Sequence, residues 1–244
     1  LVGQDPASEV YVSSKEQTAK DLGMNVRSLR LSDKTSEKDV LEAIRHLNED
    51  GDIHGIIVQI PLPEKFSFES IQSAIDPQKD IDCFHPENLS RLAAGKPLFA
   101  PPTAQSVIAL IQESGALLKG SHCAVVGRGF FARQIAALCV MHECHTTIIR
   151  SRAPHAEDIM RPADILISVV GKPEFILADS VKKGAVVIDV GISKVRGKIV
   201  GDVDFESVKN KAMAISPVPG GVGPLTVAYL MKNVIQAAGS RPIY

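Results

Sequence analysis

The sequence has no tryptophan, three tyrosines and four cysteines in 244 residues. No apolar run in it reaches the ~18 residues of a membrane-spanning helix, so no span is expected. Cys83, Cys123, Cys139 and Cys144 have neither the density nor the spacing of a secreted disulfide framework. A reducing compartment follows, the cytoplasm or, for a eukaryotic source, the mitochondrion. Charge of one sign is also lacking: 27 Lys+Arg stand against 28 Asp+Glu, for a net charge of −1. That balance exerts no long-range pull on nucleic acid or an anionic membrane surface, so partners have to be recognised by local sites. What is present is a 45% hydrophobic chain, enough for one large or two modest cores of a soluble globular protein.

A metal is not expected either. Cys139, His142, Cys144 and His145 fall within seven residues, but that segment reads as a helix end running into a strand. Without a loop, four such neighbours do not surround one ion. The opening Leu1-Val2-Gly3 reads as the last residues of a strand, which suggests that residues precede it.

The centre of the chain carries the strongest pattern. The apolar run Cys123 to Val126 meets Gly127-Arg128-Gly129-Phe130-Phe131-Ala132, a helical pattern follows to about His142, and a second β-branched run spans Thr146 to Ile149. In a dinucleotide-binding βαβ unit the first glycine makes the tight turn and the second lets a pyrophosphate approach the backbone. A small third residue lets helix pack on strand. Gly127, Gly129 and Ala132 occupy those three slots, and the helix start offers N–H groups to phosphates. Where an NAD site would carry an acid stand Arg150, Ser151 and Arg152; with Arg128 they suit a 2′-phosphate and favour NADP.

Before this unit, Asp5-Pro6-Ala7-Ser8 reads as a helix entry, with the helix running to about Leu22 and stopping at Gly23. Tyr11, Lys15, Thr18 and Leu22 share one face of it, which reads as a buried stripe. Lys15 on that stripe is either a snorkelling side chain or an amine facing a ligand beside the aromatic wall of Tyr11. A strand over Val26 to Leu31, a helix over about Ser36 to Asn48 and a strand over His54 to Ile60 predict a parallel sheet. Gln59, at the carboxyl end of that last strand, lies where α/β sheets gather ligands. Lys79-Asp80-Ile81-Asp82 is either a solvated loop or a carboxylate placed to receive a planar nitrogen heterocycle. Thr103 is expected to cap a helix through about Ser114, with the domain switch near residue 105.

Beyond the central unit, Ala163–Gly171 and Gly184–Gly191 read as further buried strands ending in glycine, supporting a doubly wound domain. Asp189 is either a strand-end carboxylate in the site or a turn cap. Ile192, just past that strand, joins the expected cofactor-binding set. Pro217-Val218-Pro219-Gly220-Gly221-Val222-Gly223-Pro224 is a loop of fixed shape with exposed backbone, suited to lie close to a ligand, and it opens a last helix.

Tyr11-Val12-x-x-Lys15, Val58-Gln59-Ile60-Pro61-Leu62-Pro63, Lys79-Asp80-Ile81-Asp82, Val126-Gly127-Arg128 and the Pro217–Pro224 block resemble, in order and across the whole chain, the bifunctional methylenetetrahydrofolate dehydrogenase/cyclohydrolase (FolD) family. The resemblance implies two α/β domains: a folate-binding catalytic domain over residues 1–105, with a C-terminal helix 224–240 packing back on it, and a Rossmann-type NADP domain over 106–223. It further implies folate in a cleft between them, and a homodimer. Lys15 would be the catalytic lysine, Tyr11 would stack on the folate, Gln59 would assist Lys15, and Asp82 would bind the pterin. Ser8, Pro219, Gly220 and Gly221 would also line the substrate. Departures from the family pattern are Gly129, Arg133 and Ile135 in the glycine turn and helix, Cys83 where glycine is usual, Pro101-Pro102-Thr103-Ala104, and Arg150-Ser151-Arg152. They leave a single-activity or regulatory relative as the alternative reading.

Overall fold

A computed structural model describes residues 1–239. The chain divides into two compact units, one made of Leu1–Phe99 with the stretch from Leu230 onward, the other of Ala100–Tyr229.

In the first unit, helix α1 (Pro6–Asp21) starts where Asp5, in extended backbone, accepts the Ser8 amide, and it stops before Gly23, whose φ is 75°. Helix α2 (Glu37–Glu49) is entered through a reciprocal capping box between Ser36 and Asp39. Helices α3 (Phe68–Ser73) and α4 (Pro86–Ala93) are capped by Ser67 and His85. Val40 and Ile44, one turn apart on α2, bury against Ile56, Val58, Phe66, Ile71 and Ile75. Each such side chain contributes ~1.5–3 kcal/mol relative to exposure.

The parallel sense expected over Val26–Leu31 and His54–Ile60 is kept, carried by single bridges. Val2 bridges Leu31 and Ile56 bridges Asp80, both in parallel sense. Apolar continuity reports burial, and Ile56 and Val58 are buried against helices; it does not report whether a neighbouring backbone pairs along its length. The expected buried stripe of α1 is also rotated. Leu22 is 59% exposed and Tyr11 37%, whereas Ser8 and Ala19 are buried and Lys15 is half-buried.

The second unit begins with α5 (Pro102–Glu113), which has no side-chain cap; Pro102 stands in its first turn, where the missing N–H has no partner to lose. Thr103 is therefore inside the helix and does not cap it. The unit continues with β1 (His122–Val126), α6 (Phe130–Met141), β2 (His145–Ile149), α7 (Ala156–Met160), β3 (Ile165–Ser168) and β4 (Val186–Asp189). An antiparallel pair, β5 (Ser193–Val195) and β6 (Lys198–Val200), follows, then α8 (Phe205–Val208), β7 (Ala214–Ile215) and α9 (Val222–Ala237). The five-stranded sheet is parallel throughout in the order β2-β1-β3-β4-β7. Its strands β1, β3 and β4 are buried along nearly their whole length, as expected of a sheet covered on both faces. Chain order reverses between β1 and β3, and crevices outside the carboxyl ends at such a reversal are where these sheets bind ligands.

Helix α9 starts two residues before the expected 224, and residue 240 lies outside the described residues. Its residues from Leu230 belong to the first unit, where Asn233 Nδ2 donates to the Ile81 carbonyl at 2.9 Å and Gln236 Nε2 to that of Leu98 at 2.7 Å.

Candidate active site

In the first unit, α1 carries Ser8, Tyr11 and Lys15. Lys15 Nζ donates to Gln59 Oε1 at 3.0 Å. Gln59 is 9% exposed, and its Nε2 donates to the Ile60 carbonyl at 2.6 Å, which turns the amide so that its oxygen faces the lysine. Asp82 lies within electrostatic reach of that amine: burial raises its carboxyl above the ordinary value, Lys15 pulls it down and Asp80 pushes it further up. Burial also raises the Tyr11 phenol. The structure therefore joins Lys15 and Gln59 by a hydrogen bond and sets Asp82 within electrostatic reach of the lysine, with Tyr11 one turn from it. Ser8 is buried and its hydroxyl donates to Asp5 Oδ2 at 2.7 Å, so it completes the helix cap.

The Lys79–Asp82 block divides its labour. Lys79 Nζ donates to the carbonyls of Leu47, Asn48 and Asp50, satisfying the end of α2. Asp80 accepts the amides of Phe84 and His85 and the side chain of Asn88. Both are structural, and Asp82 is the member whose carboxyl feels the Lys15 charge. The next residue, Cys83, holds φ at 62° while only 1% exposed, with its Sγ against the Phe99 carbonyl at 3.3 Å. A left-handed backbone there is the physical reason glycine suits this position.

In the second unit, Gly127 closes β1. A Cβ on it would stand 2.7 Å from the Val169 carbonyl oxygen and 3.2 Å from Ala132 Cβ, so a side chain at 127 does not fit. Gly129 caps α6 with no side-chain hydrogen bond and has open space where a Cβ would be. Arg128, Arg150 and Arg152 are exposed and Ser151 is half-buried. Ser151 also lines a cavity of about 370 Å3 with Ala153, His155, Glu157, Asp158 and Phe175. Ile192, past β4, is 47% exposed. This turn, with an uncapped helix start and basic side chains beside it, fits a dinucleotide pyrophosphate and a 2′-phosphate. The Pro219–Gly221 loop belongs to the same unit; Gly220 has φ 108°, and a Cβ on Gly221 would meet the Pro217 carbonyl oxygen at 2.6 Å.

Among the described residues no group of His, Cys, Asp and Glu could hold a metal ion, and no helix is long and apolar enough to cross a membrane. Asp189 takes the turn-capping role: its Oδ1 accepts from the Gly191 and Asp202 amides at 3.0 Å and its Oδ2 from that of Val203 at 2.9 Å. Sequence reasoning missed Asp202 and Asn233. A Gly-Asp step at 201–202 was the available signal for the first, and nothing in helical spacing marked the second.

The fold and sites define a two-unit α/β protein with a dinucleotide-type crevice in one unit and a lysine–amide–carboxylate group in the other. Residues 101–241 match the tetrahydrofolate dehydrogenase/cyclohydrolase NAD(P)-binding domain, and residues 1–82 match the catalytic domain of the same name. The chain belongs to the tetrahydrofolate dehydrogenase/cyclohydrolase family. It is 45% identical over 240 residues to the bifunctional protein FolD of Acetivibrio thermocellus, covering 98% of this chain and 84% of that one. Its fold is similar to the bifunctional FolD enzyme of Campylobacter jejuni, with TM-score 0.95, 35% identity, and coverage of 99% of this chain and 86% of the other. The Trypanosoma brucei enzyme, solved with NADP cofactor and inhibitor, gives TM-score 0.93 at 34% identity over 99% and 86% of the two chains.

Proposed function

We propose that this chain oxidises 5,10-methylenetetrahydrofolate to the methenyl compound with NADP and hydrolyses the latter to 10-formyltetrahydrofolate. The observation that carries the reading is the Lys15–Gln59 hydrogen bond beside Asp82, on a chain whose other unit carries the glycine turn. NADP supplies the hydride acceptor. Gly127, Arg128, Gly129 and Ala132 would hold its pyrophosphate, Arg150, Ser151 and Arg152 its 2′-phosphate, and Ile192 its further contacts.

The hydrolytic half needs a proton taken from water and one given to the departing nitrogen. Lys15 is the group placed to move both, with Gln59 fixing where its amine points. Asp82, its carboxyl raised towards the protonated form, suits a pterin edge that offers both donors and acceptors. Tyr11 supplies a ring face for the aromatic part of the folate. Ser8 and the Pro219–Gly221 backbone complete the substrate-binding set. The chain works as a homodimer in the cytoplasm, a reading that rests on the family resemblance.

The test follows absorbance of reduced nicotinamide during incubation with methylenetetrahydrofolate and NADP, and loss of methenyl absorbance in a second assay. Signal in both supports the bifunctional reading; signal in one alone reduces it to that activity.

A further inference from the structure

We infer that Asp189 and Asp202 are a pair of positioning carboxylates that hold the loops after β3 and β4 in shape for the dinucleotide. The inference rests on the reading of the glycine turn as an NADP site. Asp202 is fully buried, and its Oδ2 accepts from Ser168 Oγ at 2.9 Å, the Val170 amide at 2.6 Å and the Gly171 amide at 3.2 Å, while Oδ1 accepts from the Lys172 amide at 2.8 Å. Three successive amides of the loop after β3 thus converge on one carboxylate. That loop begins at Val169, whose carbonyl packs against Gly127 of the phosphate turn.

Asp189 ends β4 and does the same for the other side. It accepts the amide of Gly191, where the loop to Ile192 begins, and the amides of Asp202 and Val203, so the first carboxylate fixes the backbone that carries the second. The Asp189 amide is in turn anchored on Ser216 Oγ at 2.8 Å. The two are interlocked through glycines: a Cβ on Gly191 would lie 2.0 Å from Asp202 Cγ, and one on Gly201 would lie 2.0 Å from Asp189 Oδ2. No other residue allows that approach. Burying two carboxylates is costly unless each lone pair meets a donor, and here the donors are the Ser168 hydroxyl and the backbone of the loops that border the crevice.

The experiment measures NADP binding by titration, and KM for NADP against kcat, in the full chain and in Asp202→Asn. The asparagine keeps the shape but turns an N–H toward a loop amide. The expected result is NADP affinity lower by on the order of tenfold, the equivalent of one buried amide left unsatisfied, with KM for NADP rising more than kcat falls and cyclohydrolase turnover falling less than either. Ser168→Ala removes only the hydroxyl donor and is expected to weaken NADP by roughly two- to threefold; it decides the matter if Asp202→Asn does not fold. Wild-type affinity and KM in the folded variants would overturn the positioning role. Absence of NADP binding by the unaltered chain would instead overturn the reading on which the inference rests.

Discussion

Gln59 is held at both ends of its amide: Oε1 receives Lys15 Nζ at 3.0 Å, and Nε2 is tied to the carbonyl of Ile60, the residue next to it. The two side chains stand 44 positions apart in sequence, and the contact sets where the only amine of the cluster points.

Lys15→Met keeps the stem and removes the amine. General acid–base catalysis contributes about 10²–10⁴-fold, so cyclohydrolase turnover is expected to fall by that order, while hydride transfer, which depends mainly on holding two rings at the right distance, loses less than about tenfold. Paired assays on the folded variant check it. Undiminished cyclohydrolase would remove Lys15 from the chemistry, and equal loss of both activities would make it a positioning residue.

Arg150 and Arg152 sit exposed just after β2, with Ser151 between them. Replacing both arginines by alanine is expected to weaken NADP by roughly tenfold or more and NAD by less than about twofold, since charge-assisted contacts of ~1.5–3 kcal/mol are reduced by screening at an exposed site. The wild-type preference should also shrink as salt is raised. Equal loss for both cofactors would show that these arginines do not read the phosphate.

How far the sequence could be read depended on how local each determinant is. The turn at Gly127–Ala132 was legible because its glycines and small residue fall within six consecutive positions, Ala132 standing against Gly127; the approach of Val169 to Gly127, from the loop after β3, was not. Gln59 was recognisable only as a strand-end amide, and its pairing with Lys15 entered through the family pattern. Asp202 was invisible because its partner amides at Val170, Gly171 and Lys172 come from another strand's loop. In the first unit the parallel sense was legible, whereas the shortness of the pairing was not, because apolarity records which side of a chain is covered and not what its N–H groups bond.

Cys83 combines a φ of 62° with near-complete burial. Cys83→Gly relieves a left-handed backbone cost of ~1–2 kcal/mol but loses a buried side chain of similar worth, so stability is expected within about 1 kcal/mol of the unaltered chain. Cys83→Val sets a β-branched residue in the same backbone and is expected to destabilise by at least ~2 kcal/mol. Denaturant midpoints at constant slope measure both. A valine variant as stable as the glycine one would mean that this backbone relaxes readily to negative φ.

The Asp189 carboxyl is pushed up to about 6, chiefly by burial and also by the nearby Asp202 charge, against the pull of the Asp202, Val203 and Gly191 amides. A carboxylate whose folded value exceeds its unfolded one binds more protons folded than unfolded between the two values, so its contribution to stability falls as pH rises from about 4 to about 6 and stays low above that. From the size of the displacement, ionising Asp189 costs the fold at most about 3 kcal/mol at neutral pH. Carboxylates displaced downwards, among them Asp164 beside Lys182 and Asp50 beside the Asp52 amide and Arg27, act in the opposite sense, so the whole protein's profile mixes both. The difference between the unaltered chain and Asp189→Asn isolates the group. That difference is expected to shift in favour of the unaltered chain as pH is lowered from 7 to 4, with most of the change spread between about 6 and about 4. Unfolding free energies from denaturant titrations at a series of pH values measure it, and a flat difference across that window would show that Asp189 titrates in the fold as it does in the unfolded chain.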